Sequence, residues 1–392
     1  METTCGFNGL CVFLRVKKHR WEQDLHIRRM DLFTEISSEI NAEKPHSKAL
    51  KQWMPRQMLF TPEALEEDYG TEIYERARLL NVPVEVLKSN RLTGLRGATE
   101  RETYKLAKST LAVVKAPPSA FKLSPIPPSA DWQFHLAQGC PAHCQYCYLA
   151  GSLSGPPVVR VFANLPQILD NLQSYQGSTF TTFEASCYTD PLGIEHLTGG
   201  LSKAIRHFST MQNSQLRFVS KFAAVEPLLS LEHNNRTRCR ISLNASLISK
   251  RLEGGTASIP ERLQALRKLA LPKKEGGGGY PVGVVLAPIM PVPDWETHYG
   301  ELLQQLKAAL DFPCDLTFEL ISHRFTPGSK EVLLDWYPAT SLDMDEATRS
   351  IKRNKFGGTK YVYTPDVMKA LRGFFEQAIK ELFPQASLLY WT

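Results

Sequence analysis

From residue 133 onward the chain alternates strand-like and helix-like text, and nothing else in the sequence limits its fold as strongly. Strand-like runs fall at 133–136, 158–162, 179–185, 216–220, 240–243, 282–286 and 316–321. Helical patterns lie between or after them at 165–172, 197–208, 225–231, 259–269, 301–310 and 366–382. A helix between consecutive strands returns the chain to the same end of the sheet, so the strands must run parallel. The possible architectures are an open doubly wound sheet and a full or partial (β/α) barrel. In both, ligands gather at the carboxyl ends of the strands.

The text before this series is different. Five prolines between Pro117 and Pro128 predict a stiff, extended connector and a domain boundary. Thr61 followed by Pro62 and Glu63 reads as a helix start, with helical text through 74–80, a short strand at 83–87 and a charged amphipathic stretch at 99–108. The expected organisation is an extension at 1–54, a small α/β domain at 55–116, the connector at 117–130, the β/α region at 131–330 and a carboxyl-terminal region at 331–392. In the extension, the apolar stretch from Phe7 to Val16 precedes most of its basic residues, the reverse of a secretory signal, and Glu2, Glu22, Asp24 and Asp31 do not suit a transit peptide. The longest candidate for a membrane span, 280–293, is uncharged but broken by four prolines, which excludes it. A net charge of +6 is a small excess for 392 residues and by itself only hints at a polyanionic partner.

The cysteines narrow the chemistry. Of eight, Cys140, Cys144 and Cys147 fall within eight residues, just after the first strand of the β/α series. A secreted disulfide scaffold spreads its cysteines along a shorter chain, so this cluster predicts a metal centre in a reducing compartment, the cytoplasm. Thiolates are soft ligands, suited to an iron–sulfur cluster or to zinc. Structural zinc takes four ligands, and no second cysteine pair exists, although His135 and His143 are near in sequence. Three thiolates on a four-iron cluster leave one iron open to a substrate or cofactor.

The run Cys140-Pro-Ala-His-Cys144-Gln-Tyr146-Cys147-Tyr148-Leu149 resembles the spore photoproduct lyase family of radical S-adenosylmethionine enzymes. So do Thr-Phe-Glu-Ala-Ser-Cys-Tyr-Thr-Asp at 182–190, Leu-Arg-Phe-Val-Ser-Lys-Phe at 216–222, Ser242-Leu-Asn244, Val-Leu-Ala-Pro-Ile at 285–289, Phe-Glu-Leu-Ile-Ser-His-Arg-Phe-Thr at 318–326 and Lys-Tyr-Val-Tyr at 360–363. The segments at 59–65 and 108–111 match as well, so the resemblance runs from about Met58 to the end. It implies a partial (β/α)6-type barrel of the radical kind, a small amino-terminal α/β domain and a carboxyl-terminal helical and hairpin extension. It also implies a [4Fe-4S] cluster on Cys140, Cys144 and Cys147, S-adenosylmethionine as cofactor, UV-damaged DNA as substrate and an electron donor of the ferredoxin or flavodoxin type.

The family's residue roles carry over position by position. Cys187 matches the hydrogen-atom donor that quenches the thymine radical left when the lesion is opened. Tyr146 and Tyr148 match a pair that relays the radical back to 5′-deoxyadenosine, and for Tyr146 packing beside the adenine is an equal alternative. Lys221, Ser242, Asn244, Thr189, Ala287 and Glu184 match or adjoin the cofactor site, with Glu184 expected to bond the cofactor's amino group. For DNA, the stretch 348–363 holds Arg349, Lys352, Arg353, Lys355 and Lys360 with no acid, interleaved with Phe356, Tyr361 and Tyr363 around Gly357-Gly358. Phosphate neutralisation beside aromatic wedges is how such a segment holds damaged DNA. Arg324 adds a second phosphate or base contact. Two departures from the family pattern are Ala150-Gly151-Ser152 after the cysteine motif and Tyr188 beside Cys187. The rival readings are a radical enzyme of this fold with another nucleic-acid or small substrate, and a non-catalytic metal-stabilised DNA-binding protein.

Overall fold

The apolar runs of the amino-terminal part become parallel strands β1 (Gln57–Phe60), β2 (Val84–Val86) and β3 (Thr110–Val114), with β1 between the other two. The structure, a computed structural model, describes residues 50, 52–152, 155–353 and 358–392. The extension as far as residue 49 and residues 354–357, with Lys355 and Phe356, therefore lie outside the described residues. Pro62 opens a helix as expected, but the Thr61 hydroxyl bonds the Val113 carbonyl instead of a helix N–H, and Pro62–Leu65 is short. The main helix restarts as Asp68–Arg78. Helix Glu100–Lys108 has a full capping box: Thr99 accepts from Glu102 N while the Glu102 carboxylate reaches back to Thr99 N.

The proline run holds the antiparallel pair β4 (Ser124–Ile126) and β5 (Ala130–Phe134). After it come β6 (Ala137–Gln138), β7 (His143–Cys144) and β8 (Val159–Phe162). Read from sequence as a barrel strand, β8 instead pairs with β3, and the amino-terminal sheet has the order β2-β1-β3-β8-β6. Its apolar text suits either sheet, and pairing alone decides. The small domain and the barrel thus share a sheet across the proline run, and Lys51–Thr392 forms one compact unit.

The second sheet is the expected partial barrel. Strand β5 is followed by β9 (Thr181–Ala185), β10 (Ser214–Ser220), β11 (Thr237–Leu243), the two-residue β12 (Glu253–Gly254), β13 (Val282–Ile289) and β14 (Leu316–Ser322). Six strands, β5-β9-β10-β11-β13-β14, pair in parallel. Helices Gly200–Thr210, Ile259–Ala270 and Trp295–Ala309 form the crossovers, while the helix expected at 225–231 contracts to Glu226–Leu229. β12 leaves the barrel and pairs antiparallel with β7, which sets Glu253 opposite Cys144. The carboxyl-terminal region supplies the hairpin β15 (Ser350–Arg353) and β16 (Thr359–Val362), the helix Pro365–Leu382, and β17 (Ser387–Trp391), which adds to β14 in parallel.

Alternation along the strands sends Phe183 outward onto Phe208 of a covering helix and Glu184 inward. The inward residues form a charged layer. Arg240, 2% exposed, donates to Glu184, to Glu319 Oε2 at 2.7 Å and to Ser129 Oγ at 3.2 Å. Arg217 bonds the other oxygen of Glu319, and Tyr390 on β17 donates to Glu319 Oε2 at 2.6 Å. Burial acts against the Arg240 charge, but Glu184 and Glu319 hold its pKa above the ordinary value. Gly283 makes the room, since a Cβ there would lie 2.8 Å from Arg240 Cγ. Replacing Arg240 by Met leaves two buried carboxylates short of a cation and should cost about 3–5 kcal/mol, read as a large fall in melting temperature of the anaerobic protein. An unchanged melting temperature would show that the layer adds nothing to stability.

Candidate active site

The cysteine loop is pinned by residues outside it. It leaves β6 at Gly139, whose φ of +76° and a Cβ clash of 2.1 Å with the Val158 carbonyl exclude any other residue. The Lys108 ammonium, buried, donates to the carbonyls of Cys140 and Ala142. Tyr104 bonds His143 Nδ1 at 2.9 Å, and Gln145 N donates to Leu252 O at 2.8 Å. The β7–β12 ladder fixes Cys144 itself.

Burial raises all three thiols, Cys140 to about 11, while Lys108 acts to lower Cys140 and Cys147 and Lys221 to lower Cys144. A cation at hand is what a thiol that must become a thiolate ligand requires. Neither histidine completes a zinc site: His143 is engaged by Tyr104, and the His135 ring packs 4.8 Å from Tyr188. Among the described residues no group of three or more His, Cys, Asp or Glu is arranged to hold a single metal ion. A four-iron cluster takes each thiolate on a different iron, so its ligands need not converge on a point. The loop fits that cluster.

At the strand ends above the charged layer, Lys221, Ser242 and Ala287 meet. Lys221 Nζ lies 2.6 Å from Ser242 Oγ and 3.1 Å from the Ala287 carbonyl, and 5.6 Å from the centre of the Tyr146 ring. The Tyr146 hydroxyl donates to Glu253, a carboxylate that also pairs with Lys221 and Arg262. Burial would raise the Glu253 carboxyl, but the two cations and the tyrosine bond hold it at about 2.

Cys187 follows β9 through a strained residue. Ser186 has a φ of 60°, held because its N–H donates to Phe134 O at 2.7 Å and its hydroxyl accepts from Leu136 N at 3.0 Å. The turn sets Cys187 against Tyr148, whose hydroxyl donates to the Cys187 carbonyl from 39 residues away. Burial, and then Glu184, push the Cys187 thiol well above its ordinary value, so it keeps its hydrogen. Asp190 accepts from Ser220 Oγ at 2.8 Å and Lys221 N at 2.7 Å, locking the ends of β9 and β10 together. Thr189 Oγ1 and His323 Nδ1 are buried without a hydrogen-bond partner. Such orphaned groups beside Lys221, Ser242 and the cysteine loop fit a site for a polar, zwitterionic cofactor.

Two expected cofactor contacts are engaged elsewhere. Glu184 does not face the cofactor site, because Arg240 and Ser129 take both of its oxygens in the charged layer. Asn244 gives its amide to Pro288 O at 2.8 Å and accepts from Tyr299 at 2.9 Å, so it braces the end of β13 instead.

Tyr146 and Tyr148 also line an open cleft of about 200 Å³, together with His323, Arg324, Phe325 and Lys360. The hairpin joins this cleft through the Phe325–Tyr361 bridge. Lys352 stands opposite Lys360 in the hairpin, and Arg324 and Lys352 add to burial in lowering the Lys360 pKa. Among the described residues Arg324, Lys352, Arg353 and Lys360 make no ion pair. Arg349 does: it is buried, pairs with Asp343 and covers the Tyr363 ring at 3.8 Å, which removes it from the basic face. Lys355 lies outside the described residues.

Sequence reasoning missed Lys108, Tyr104, Asp190 and Glu253 as parts of the site. Asp190 closes a matched motif, which was a usable signal. Glu253 has none, since an acid before Gly254-Gly255 reads as a solvated turn.

The model of the family described as spore photoproduct lyase matches residues 53–392. Spore photoproduct lyase of Geobacillus sp. (strain Y412MC61) is 40% identical over 349 residues, 88% of this chain and 100% of that protein. Its counterpart in Bacillus subtilis (strain 168) is 38% identical over 346 residues, 87% of this chain and 99% of that one. A solved structure of a mutant spore photoproduct lyase with bound AdoMet and dinucleoside spore photoproduct superposes with a TM-score of 0.81 at 39% identity, covering 87% of this chain and 100% of its own. No helix among the described residues is long and apolar enough to cross a membrane. With the cysteine loop, the strained Cys187 turn and the partial barrel all in place, the chain belongs to the spore photoproduct lyase family.

Proposed function

We propose that the protein repairs DNA by returning spore photoproduct, 5-thyminyl-5,6-dihydrothymine, to two thymines. The observation that supports this best is the bond from Tyr148, which lines a cleft beside the cysteine loop, to the Cys187 carbonyl. When bound, the [4Fe-4S] cluster and S-adenosylmethionine supply a 5′-deoxyadenosyl radical that can take a hydrogen atom from the lesion. The chain does the rest. Cys140, Cys144 and Cys147 hold the cluster, and Lys221, Ser242, Thr189 and the Ala287 carbonyl bind the methionine end of the cofactor. Cys187 gives its S–H hydrogen to the thymine radical, so an S–H bond breaks and a C–H bond forms. Tyr148, already against Cys187, returns a hydrogen atom to sulfur as its own O–H breaks. Tyr146, beside the cofactor site, restores the Tyr148 O–H as its own O–H breaks, and takes a hydrogen atom back from the 5′-deoxyadenosine that had received one from the lesion.

Arg324 and Lys360 at the cleft, with Lys352, Arg353 and Lys355, meet the phosphates, and the lesion is extruded from the stack to enter the cleft. A cytoplasmic protein with a ferredoxin- or flavodoxin-type donor suits cysteines that must stay reduced.

Anaerobic reconstitution should load about four irons and four sulfides per chain. Zinc without iron would end this reading. With dithionite, S-adenosylmethionine and DNA irradiated dry, the wild-type protein should convert the lesion to thymine. Cys187→Ala should still consume lesion but release little intact thymine, and clean wild-type product from that variant would refute the donor role. Arg324→Ala and Lys360→Ala should each reduce the slope of log affinity against log salt by about 1, measured on irradiated duplex DNA. Unchanged slopes would remove these two from the DNA face.

A further inference from the structure

Glu253 has no part in the scheme above, yet it is the most completely enclosed acid beside it. Its side chain is 0% exposed. One oxygen accepts from Ser249 Oγ at 3.0 Å and from Arg262 Nη2 at 2.5 Å. That half alone would satisfy a structural ion pair. The other oxygen turns the opposite way, taking the Tyr146 hydroxyl and lying 3.3 Å from Lys221 Nζ. Its backbone, meanwhile, is paired with that of Cys144.

We propose that Glu253 is a positioning residue for the cofactor site, joining the Tyr146 ring and the Lys221 ammonium into one preset wall against the cysteine loop. This rests on the cofactor site described under the proposed function. Lysine is among the side chains with most rotamer freedom to lose, and an unanchored tyrosine beside it would have to be ordered each time the cofactor bound. Fixing both beforehand removes that cost from binding, the general effect of preorganisation. Ser242 and the Ala287 carbonyl hold the Lys221 ammonium from one side, and Glu253 completes its surroundings from the other. Tyr146 has no hydrogen-bond partner for its hydroxyl among the described residues except Glu253.

The test is equilibrium binding of S-adenosylmethionine to the reconstituted, cluster-loaded protein, under anaerobic conditions and below the melting temperature. Glu253→Gln keeps the shape but loses the charge and should weaken binding about tenfold, a loss of about 1.4 kcal/mol. Tyr146→Phe removes the same bond from the other side, so the two changes combined should weaken binding by clearly less than the product of their separate effects. Leu306→Ala opens a cavity under the last turn of the crossover helix Trp295–Ala309, at the end away from the strand carboxyl ends, and serves as the control for lost stability. It should leave the dissociation constant within about twofold of wild type. Wild-type affinity in Glu253→Gln, fully multiplicative effects with Tyr146→Phe, or equal weakening by Leu306→Ala would each overturn the role. A wild-type protein that binds the cofactor no better than Cys140→Ala would overturn the underlying functional reading instead.

Discussion

The fold depends on a guanidinium inside an open barrel. A half-barrel has no closing strand pair to hold its curvature, so contacts across the lumen must do part of that work. Arg240 on β11 spans to Glu184 on β9 and Glu319 on β14, while Arg217 on β10 and Tyr390 on β17 share Glu319. Two guanidiniums and two carboxylates leave the layer neutral, and every buried oxygen of the two acids has a donor, the condition under which buried ions are tolerated. The layer also sets a floor. Above it lie Ser242 on β11, Lys221 just past the end of β10 and Ala287 near the end of β13, so the residues proposed to bind the cofactor stand directly over the ion pairs.

Burial raises both kinds of cysteine in this site, yet their surroundings point in opposite directions. The three loop cysteines have cations near them, Lys108 beside Cys140 and Cys147, and Lys221 toward Cys144. Cys187 has the Glu184 carboxylate in its field, which opposes ionisation further. A metal ligand must surrender its proton, whereas a hydrogen-atom donor must retain its own. The charged layer therefore has a second effect: Glu184, although held away from the cofactor, helps to keep the Cys187 hydrogen in place. The positive φ of Ser186 fits the same economy of placement, because it is sustained by two backbone donors and turns the chain so that the thiol-bearing residue meets Tyr148.

The sequence made the barrel legible because its signal was periodic. Five of the six parallel barrel strands after the proline run lie where alternating apolar text predicts them, and β5 begins only a few residues early. β8 was misplaced because Val158 to Phe162 is apolar enough for either sheet, and the choice is made by pairing with β3, a contact no local pattern encodes. The cysteine loop, Cys187, Lys221 and Ser242 were legible through motifs. Glu184 and Asn244 were read as cofactor contacts because each sits in a matched motif near a strand end. Facing direction and competing partners, Arg240 for one and Tyr299 for the other, decide otherwise. Glu253 was invisible for the converse reason, since its meaning comes only from a two-residue ladder with β7.

The cationic stretch shows how much burial changes the meaning of charge. Read as text, Arg349 and Lys360 are equivalent members of one basic run. In the fold, Arg349 is enclosed by Asp343 and the Tyr363 ring and serves to attach the hairpin, while Lys360 stands opposite Lys352 with Arg324 nearby and, among the described residues, no acid paired with them. Like charges directly opposite one another destabilise a strand pair. That repulsion is relieved when a polyanion lies across the same face, and the gain from neutralisation is largest where the protein has left its cations uncompensated. The hairpin is thus anchored by a paired arginine at its base, and Lys352 and Lys360, without an ion pair among the described residues, leave on it the kind of face a polyanion would neutralise, beside the cleft that Tyr146 and Tyr148 line.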